Sequence, residues 1–215
     1  MAKRRRVGNV LALAVFSVVI QRPMHPYEMA SVLRARDKDQ DMKIKWGSLY
    51  TVVRNMEKHG LLEAIENTRH GGRPERTVYR ITDAGRAEFK DWVGELVSTP
   101  EQEYPRFGVA LSVLGALTPD EATSLLRQRL DRMREQIVHQ RESMAHHRRE
   151  LPRLFLVEVE YDLAVREAEL TWVSTLLEEL TTGSFPGLAQ WRRFHETGEV
   201  PPELAHITER GSTRD

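Results

Sequence analysis

Cysteine does not occur anywhere in the 215 residues. Its absence removes disulfide scaffolds, cysteine-based zinc sites, iron–sulfur clusters and thiol nucleophiles together. It also fits a reducing compartment, and a cytoplasmic protein is expected. No apolar run reaches the roughly 20 residues that a membrane-crossing helix needs. The nearest, Val7 to Ile20, contains Gly8, Asn9 and Ser17, and continues into Gln21-Arg22-Pro23-Met24-His25-Pro26 without a small-residue cleavage site. It reads as a buried first helix, and no membrane partner is expected. The preceding Lys3-Arg4-Arg5-Arg6 leaves two readings open: a solvated, frayed terminus or a flexible arm on nucleic acid.

Signatures of catalysis are missing as well. Gly71-Gly72 is not followed by the Gly-Lys-Ser/Thr of a phosphate loop, and there is no G-x-S-x-G. Glu158 and Glu160 are two apart, so on a helix they point different ways and form no carboxylate dyad. His139, His146 and His147 have no carboxylate partners at ligand spacing and read as solvated helix residues. With a single hairpin available to build a cleft, no cofactor, no metal and no enzymatic activity are expected.

The last absence is net charge, since 32 Lys+Arg balance 32 Asp+Glu. The balance conceals an asymmetry: residues 1–100 hold 18 cations against 12 acids, whereas residues 101–215 hold 14 against 20. The first half therefore invites a polyanion and the second does not.

The first half is regularly punctuated. His25-Pro26 opens a second helix, because proline suits the first helical position, and Tyr27, Ala30 and Leu33 share a face. A polar loop follows at Asp37 to Asp41. A third helix runs from about Ser48 to His59, with Gly60 placed to end it. At 100° per residue, Leu49, Val52, Val53 and Met56 form its inner face. Thr51, Arg54, Asn55 and Lys58 lie opposite, with Tyr50 on the flank. A hydroxyl, an amide and cations are the groups that read base edges and phosphates. Strands at 62–67 and 77–82, with Tyr79 and Ile81 on one face, enclose a turn with paired Gly71-Gly72, Pro74 and Arg69, Arg73 and Arg76. Three cations at a hairpin tip suit a wing lying on a phosphate backbone. Thr82 can cap a fourth helix, in which Trp92, Val93 and Leu96 share a face. Helix, helix, helix, basic hairpin, helix is the order of a winged helix-turn-helix.

Several pieces also resemble the PadR-like transcriptional regulators. They are His25-Pro26-Tyr27-Glu28, Gly47-Ser48-Leu49-Tyr50, Leu61-Leu62 after Gly60, Gly71-Gly72-Arg73-Pro74, and Tyr79-Arg80-Ile81-Thr82 leading to Gly85. The resemblance covers roughly residues 8–97. It implies a dimeric DNA-binding regulator, most often a repressor. The predicted contacts with double-stranded DNA are Lys45, Ser48, Tyr50, Thr51, Arg54, Asn55, Arg69, Gly71, Gly72, Arg73 and Arg76.

In the second half, a short apolar helix is expected over 106–117. Thr118-Pro119-Asp120-Glu121 is a helix start with cap, proline and acid in place. Leu126, Leu130, Met133, Ile137 and Met144 then keep a heptad seam, with Gln140 as its polar slot. After Pro152 a second long helix carries Leu156, Val159, Leu163, Leu170, Val173, Leu177 and Leu180, with Arg166 at the skipped slot. Such helices fold back on each other or pair with another chain, and two stripes in series favour self-association. Leu156, Leu163, Leu170, Val173 and Leu177 are the expected homodimer contacts. The pattern resembles the helical region of longer PadR-like regulators, of the kind found in virulence-gene activators. The resemblance to the PadR-like family further implies a small aromatic or lipophilic effector, with Phe16, Tyr104, Phe107, Met133 and Trp172 either as its lining or simply as packed core residues. The expected fold is mostly α: a winged helix-turn-helix domain with one β-hairpin (1–99), an α-helical coiled-coil-like domain (104–182) and a loop-rich tail (183–215).

Overall fold

The computed structural model describes residues 5, 7–36, 46–68 and 76–199, with backbone alone for 66–68 and 76. The chain divides into two compact units, Met1–Glu103 and Tyr104–Asp215.

In the first unit, α1 (Val10–Val19) begins where the Asn9 side chain accepts the Leu11 N–H at 2.9 Å. Eight of its ten residues are buried, so packing rather than propensity holds this valine-rich helix. Helix α2 (Pro26–Ala35) starts from His25, whose Nδ1 accepts the Tyr27 N–H at 3.1 Å. Its buried stripe is Pro26, Met29, Ala30 and Leu33. Tyr27, expected to share a face with Ala30 and Leu33, is instead 68% exposed; Pro26 takes the inner position at the start of the stripe. A 3₁₀ turn, Trp46–Ser48, leads into α3 (Leu49–Lys58), which buries Leu49, Val52, Val53 and Met56 as the periodicity predicts. Gly60, at φ 70°, supplies the left-handed residue that ends this helix.

Strands β1 (Leu62–Thr68) and β2 (Arg76–Ile81) pair antiparallel from Leu62↔Ile81 to Thr68↔Arg76, with an irregularity between Ala64 and Glu66. Tyr79 and Ile81 both turn into the core. Tyr79 also exchanges two 3.0 Å backbone hydrogen bonds with Met24, tying the hairpin to the segment that opens α2. Thr82 then caps α4 (Asp83–Ser98) by accepting the Gly85 N–H at 3.0 Å, while its hydroxyl donates to the Gly60 carbonyl at 2.6 Å. Gly85 and Trp92 are buried in α4 and Phe89 packs on the same core, so the inner stripe is 85/89/92. Val93 and Leu96, expected to share the Trp92 face, are 40% and 49% exposed. The close seat of Gly85 on Leu61 sets that rotation.

The second unit opens with α5 (Arg106–Ser112) and a separate 3₁₀ turn, Leu114–Ala116, where one helix over 106–117 was expected. Helix α6 (Pro119–His147) starts from a complete capping box between Thr118 and Glu121. Helix α7 (Val157–Thr182) packs against it as a hairpin, and α8 (Leu188–Thr197) closes one end. Leu126, Leu130, Val173, Leu180 and Leu188 form one apolar cluster, and Ile137, Met144 and Leu163 form another. The two skipped heptad slots meet near these clusters. Gln140 Nε2 donates to Asp162 Oδ2 at 3.0 Å, and Arg166 Nε donates to the same oxygen at 2.8 Å. No helix among the described residues is long and apolar enough to cross a membrane.

Candidate nucleic-acid interface

Helix α3 presents Tyr50, Thr51, Arg54 and Lys58 outward, with Asn55 half-buried beside them. The one carboxylate on this helix, Glu57, lies beside the Tyr79 hydroxyl. Burial pushes that hydroxyl's pKa up, and the neighbouring carboxylate pushes it the same way. The helix's only negative group thus stands next to the hairpin. What faces outward is polar or cationic, as a surface for phosphates and base edges requires. Tyr50 also meets the His25 ring edge-on, with centroids 6.3 Å apart, so the starts of α2 and α3 are braced together.

A groove of about 410 Å³ runs along this face, lined by Thr51, Val52, Arg54, Asn55 and Lys58 on one side and Val7, Gly8 and Asn9 on the other. Val7–Asn9 and Lys58 were not among the predicted contacts. Asn9 placed before an apolar run is an N-cap signal, and it could have placed the chain's entry beside α3. Ser48 precedes α3 and makes no side-chain cap. Lys45, Arg69, Gly71, Gly72 and Arg73 lie outside the described residues, and Arg76 is described only as the first residue of β2.

The candidate effector residues are not all placed alike. Phe16 is fully buried and stacks on Phe89, with centroids 5.3 Å apart, as part of the first unit's core. Met133 is buried on α6, and Tyr104 is 80% exposed. Phe107 and Trp172 meet edge-on at 6.4 Å. The Arg129 guanidinium lies 3.7 Å from the Phe107 ring centroid and pairs with Glu169. Among the expected dimer contacts, Leu156, Leu163 and Val173 are buried within the chain. Leu170 and Leu177 pack half-buried on its apolar clusters. Among the described residues, no group of three or more His, Asp or Glu could hold a metal ion.

Residues 15–91 match the sequence profile of the transcriptional regulator PadR-like family. The chain is 21% identical over 129 residues to the negative transcriptional regulator PadR of Bacillus subtilis, covering 60% of this chain and 70% of that protein. It also resembles the crystal structure of Bacillus subtilis PadR in complex with operator DNA, with a TM-score of 0.65 and 18% identity, over 80% of this chain and 99% of that one. The structure of the same relative with p-coumaric acid gives 0.67 and 16% over the same shares. At these identities the structural likeness establishes the fold, a winged helix accompanied by long helices. The matched proteins are regulators of transcription rather than enzymes. Residues 15–91 are thus a domain of the transcriptional regulator PadR-like family.

Proposed function

We propose that the chain binds duplex DNA sequence-specifically as a homodimer and represses transcription from an inverted-repeat operator. The observation that carries this reading is the outward face of α3, where Thr51, Arg54 and Lys58 stand exposed while Glu57 is turned to Tyr79. In this reading Ser48, Tyr50, Thr51, Arg54 and Asn55 approach the major groove. Lys45, Arg69, Arg73 and Arg76, with the Gly71-Gly72 backbone, hold phosphates or the adjacent minor groove. The relative solved with operator DNA supports the partner, and the Bacillus subtilis protein's description as a negative regulator supports the sign.

Association runs through the second unit, with Leu163, Leu170, Val173 and Leu177 on α7 and Leu156 just before it. A two-fold dimer sets its two reading helices about 34 Å apart, or a multiple of it, on one face of the duplex. A small aromatic effector, such as the one bound to the relative, releases the DNA by favouring a conformation that does not fit it. In this reading Phe107 and Trp172, which meet edge-on, contribute aromatic faces to the effector's site.

Selection of random duplexes on the purified protein, followed by sequencing, tests the reading. An enriched inverted repeat is expected. Arg54→Ala should then weaken binding by about 1–3 kcal/mol and relax one position in each half-site. A selection that enriches no sequence overturns it, and so does full operator affinity in the Arg54→Ala protein.

A further inference from the structure

Met24 and His25 join the hairpin to α2 and, through one ring, to α3. Met24 is buried, and its backbone is tied to Tyr79 by two hydrogen bonds of 3.0 Å. The next residue, His25, is the N-cap of α2. Its carbonyl accepts the Met29 N–H at 3.0 Å, and its Nδ1 accepts the Tyr27 N–H at 3.1 Å. The backbone is thus held on both sides, and the imidazole cannot change rotamer without giving up the cap. Because a backbone N–H can only donate, Nδ1 is the unprotonated nitrogen of the ring. Serine, threonine, aspartate and asparagine supply a cap acceptor with less bulk. Histidine at this position adds a ring.

That ring meets Tyr50 edge-on, with centroids 6.3 Å apart and planes at 69°. Tyr50 is the second residue of α3 and is 48% exposed. In a helix-turn-helix the N-terminal residues of the reading helix contact base edges. A tyrosine exposed in a first helical turn has more than one open rotamer, and a fixed ring against one side reduces the choice. Ordering one such side chain at the moment of binding weakens affinity by about two- to tenfold. Locking it beforehand also confines it to one geometry against the bases, which sharpens discrimination.

We propose that His25 is a positioning residue for base reading: fixed by capping α2, its ring holds the Tyr50 side chain in the orientation that meets the duplex, and so sets the preference at the base pair Tyr50 touches. This rests on the reading of α3 as the DNA-contacting helix, so its test must separate the two. The full-length chain is titrated with its selected duplex, with single-base-pair variants of that duplex and with a scrambled one. Tyr50→Ala first marks the base pair at which preference is lost. His25→Asn keeps a good helix cap and removes the ring. It should retain the parent's helix content and melting temperature, bind the selected duplex about two- to tenfold more weakly, and lose preference at the base pair that Tyr50→Ala marks. Affinity for the scrambled duplex and its salt slope should stay as in the parent, since no phosphate contact has changed. In the Tyr50→Ala background, His25→Asn should add no further loss, because the two side chains act as one unit. A His25→Asn protein with the parent's preference at that base pair overturns the proposal and leaves α3 as the reader. So do losses that add in the double variant, or a loss spread evenly over the site together with a lowered melting temperature; either makes His25 a structural residue only. If Tyr50→Ala changes no base preference while Arg54→Ala does, α3 reads without Tyr50 and His25 has nothing to position. A parent chain that selects no sequence overturns the reading of α3 and this role with it.

Discussion

Thr82 and Gly85 show how two small residues hold the hairpin, α3 and α4 to one another. A Cβ on Gly85 would overlap the Leu61 carbonyl oxygen and come within 3.0 Å of Ile81 Cγ1. The obstacle is backbone, which has nowhere to go, so Gly85→Ala should destabilise the first unit by about 1–3 kcal/mol. Thr82→Ala loses the α4 cap and the hydrogen bond to the Gly60 carbonyl, and should cost about 1 kcal/mol or somewhat more. Urea unfolding followed by circular dichroism checks both. A midpoint unchanged in Gly85→Ala would mean that Leu61 yields, contrary to the packing. The sequence displayed both residues within the pieces that resemble the family, and Thr82 was legible as a helix cap, whereas nothing local gave a reason for Gly85. Arg5 was illegible for a different cause. Its carboxylate partners lie 83 to 90 residues away, and a run of cations does not announce which acids it will meet in space.

Elements were legible where their periodicity was driven by one dominant face. Helix α3 buries the four residues that a 100° step selects, because one apolar side and one polar side leave a single workable rotation. Helix α4 was less legible: Trp92, Val93 and Leu96 are close enough in angle to share a face, and the seat of Gly85 decides which of them enters. The expected helix over 106–117 breaks at Val113, which stands between α5 and the 3₁₀ turn. The Thr118 start was fully legible, since cap, proline and acid each answer an unpaired group at a helix N-terminus.

This start carries a pH signature. Glu121 accepts the Thr118 N–H at 2.8 Å and the Thr118 hydroxyl at 2.9 Å, and these bonds hold its pKa below the usual carboxylate range. Glu160 is held low by the Arg153 guanidinium and then by Arg148, which together fasten the turn between α6 and α7. A carboxylate depressed in the folded state adds stability above its unfolded pKa of about 4.3, and that stability disappears as pH falls through the folded value. The melting temperature of the second unit should therefore decline as the solution is taken from pH 5 to pH 3. Glu121→Gln and Glu160→Gln should each flatten the decline, most of all together. A double variant with the parent's full pH dependence would assign the acid sensitivity to other carboxylates.

At the scale of the whole molecule, the proposed function needs two reading helices, because one winged helix contacts only a few base pairs. The heptad seam predicted for association is largely occupied inside the chain, where Leu163 and Val173 are buried in the apolar clusters that α7 shares with α6. Periodicity revealed the seam but could not say whose helix would fill it, since α6 of the same chain and α7 of another offer similar stripes. What α7 leaves outside is a second stripe, Val157, Tyr161, Val165 and Trp172, stepping by four, four and seven and each between 47% and 72% exposed. In the proposed homodimer this outward stripe would meet the second copy. The two stripes predict different failures. Leu163→Glu removes a buried leucine and places a charge in the seam, at a cost of about 2–5 kcal/mol from the lost side chain alone, so it should lower the melting temperature and helix content. Tyr161→Glu/Val165→Glu changes only the outward face. It should keep the parent's helix content, sediment as a monomer at micromolar concentration, and bind the inverted repeat far more weakly than the parent. A double variant that remains dimeric and holds the operator at full affinity would place the contact elsewhere. A Leu163→Glu protein that stays fully helical yet becomes monomeric would return the interface to the seam, with α6 and α7 of different chains exchanged across the two-fold axis.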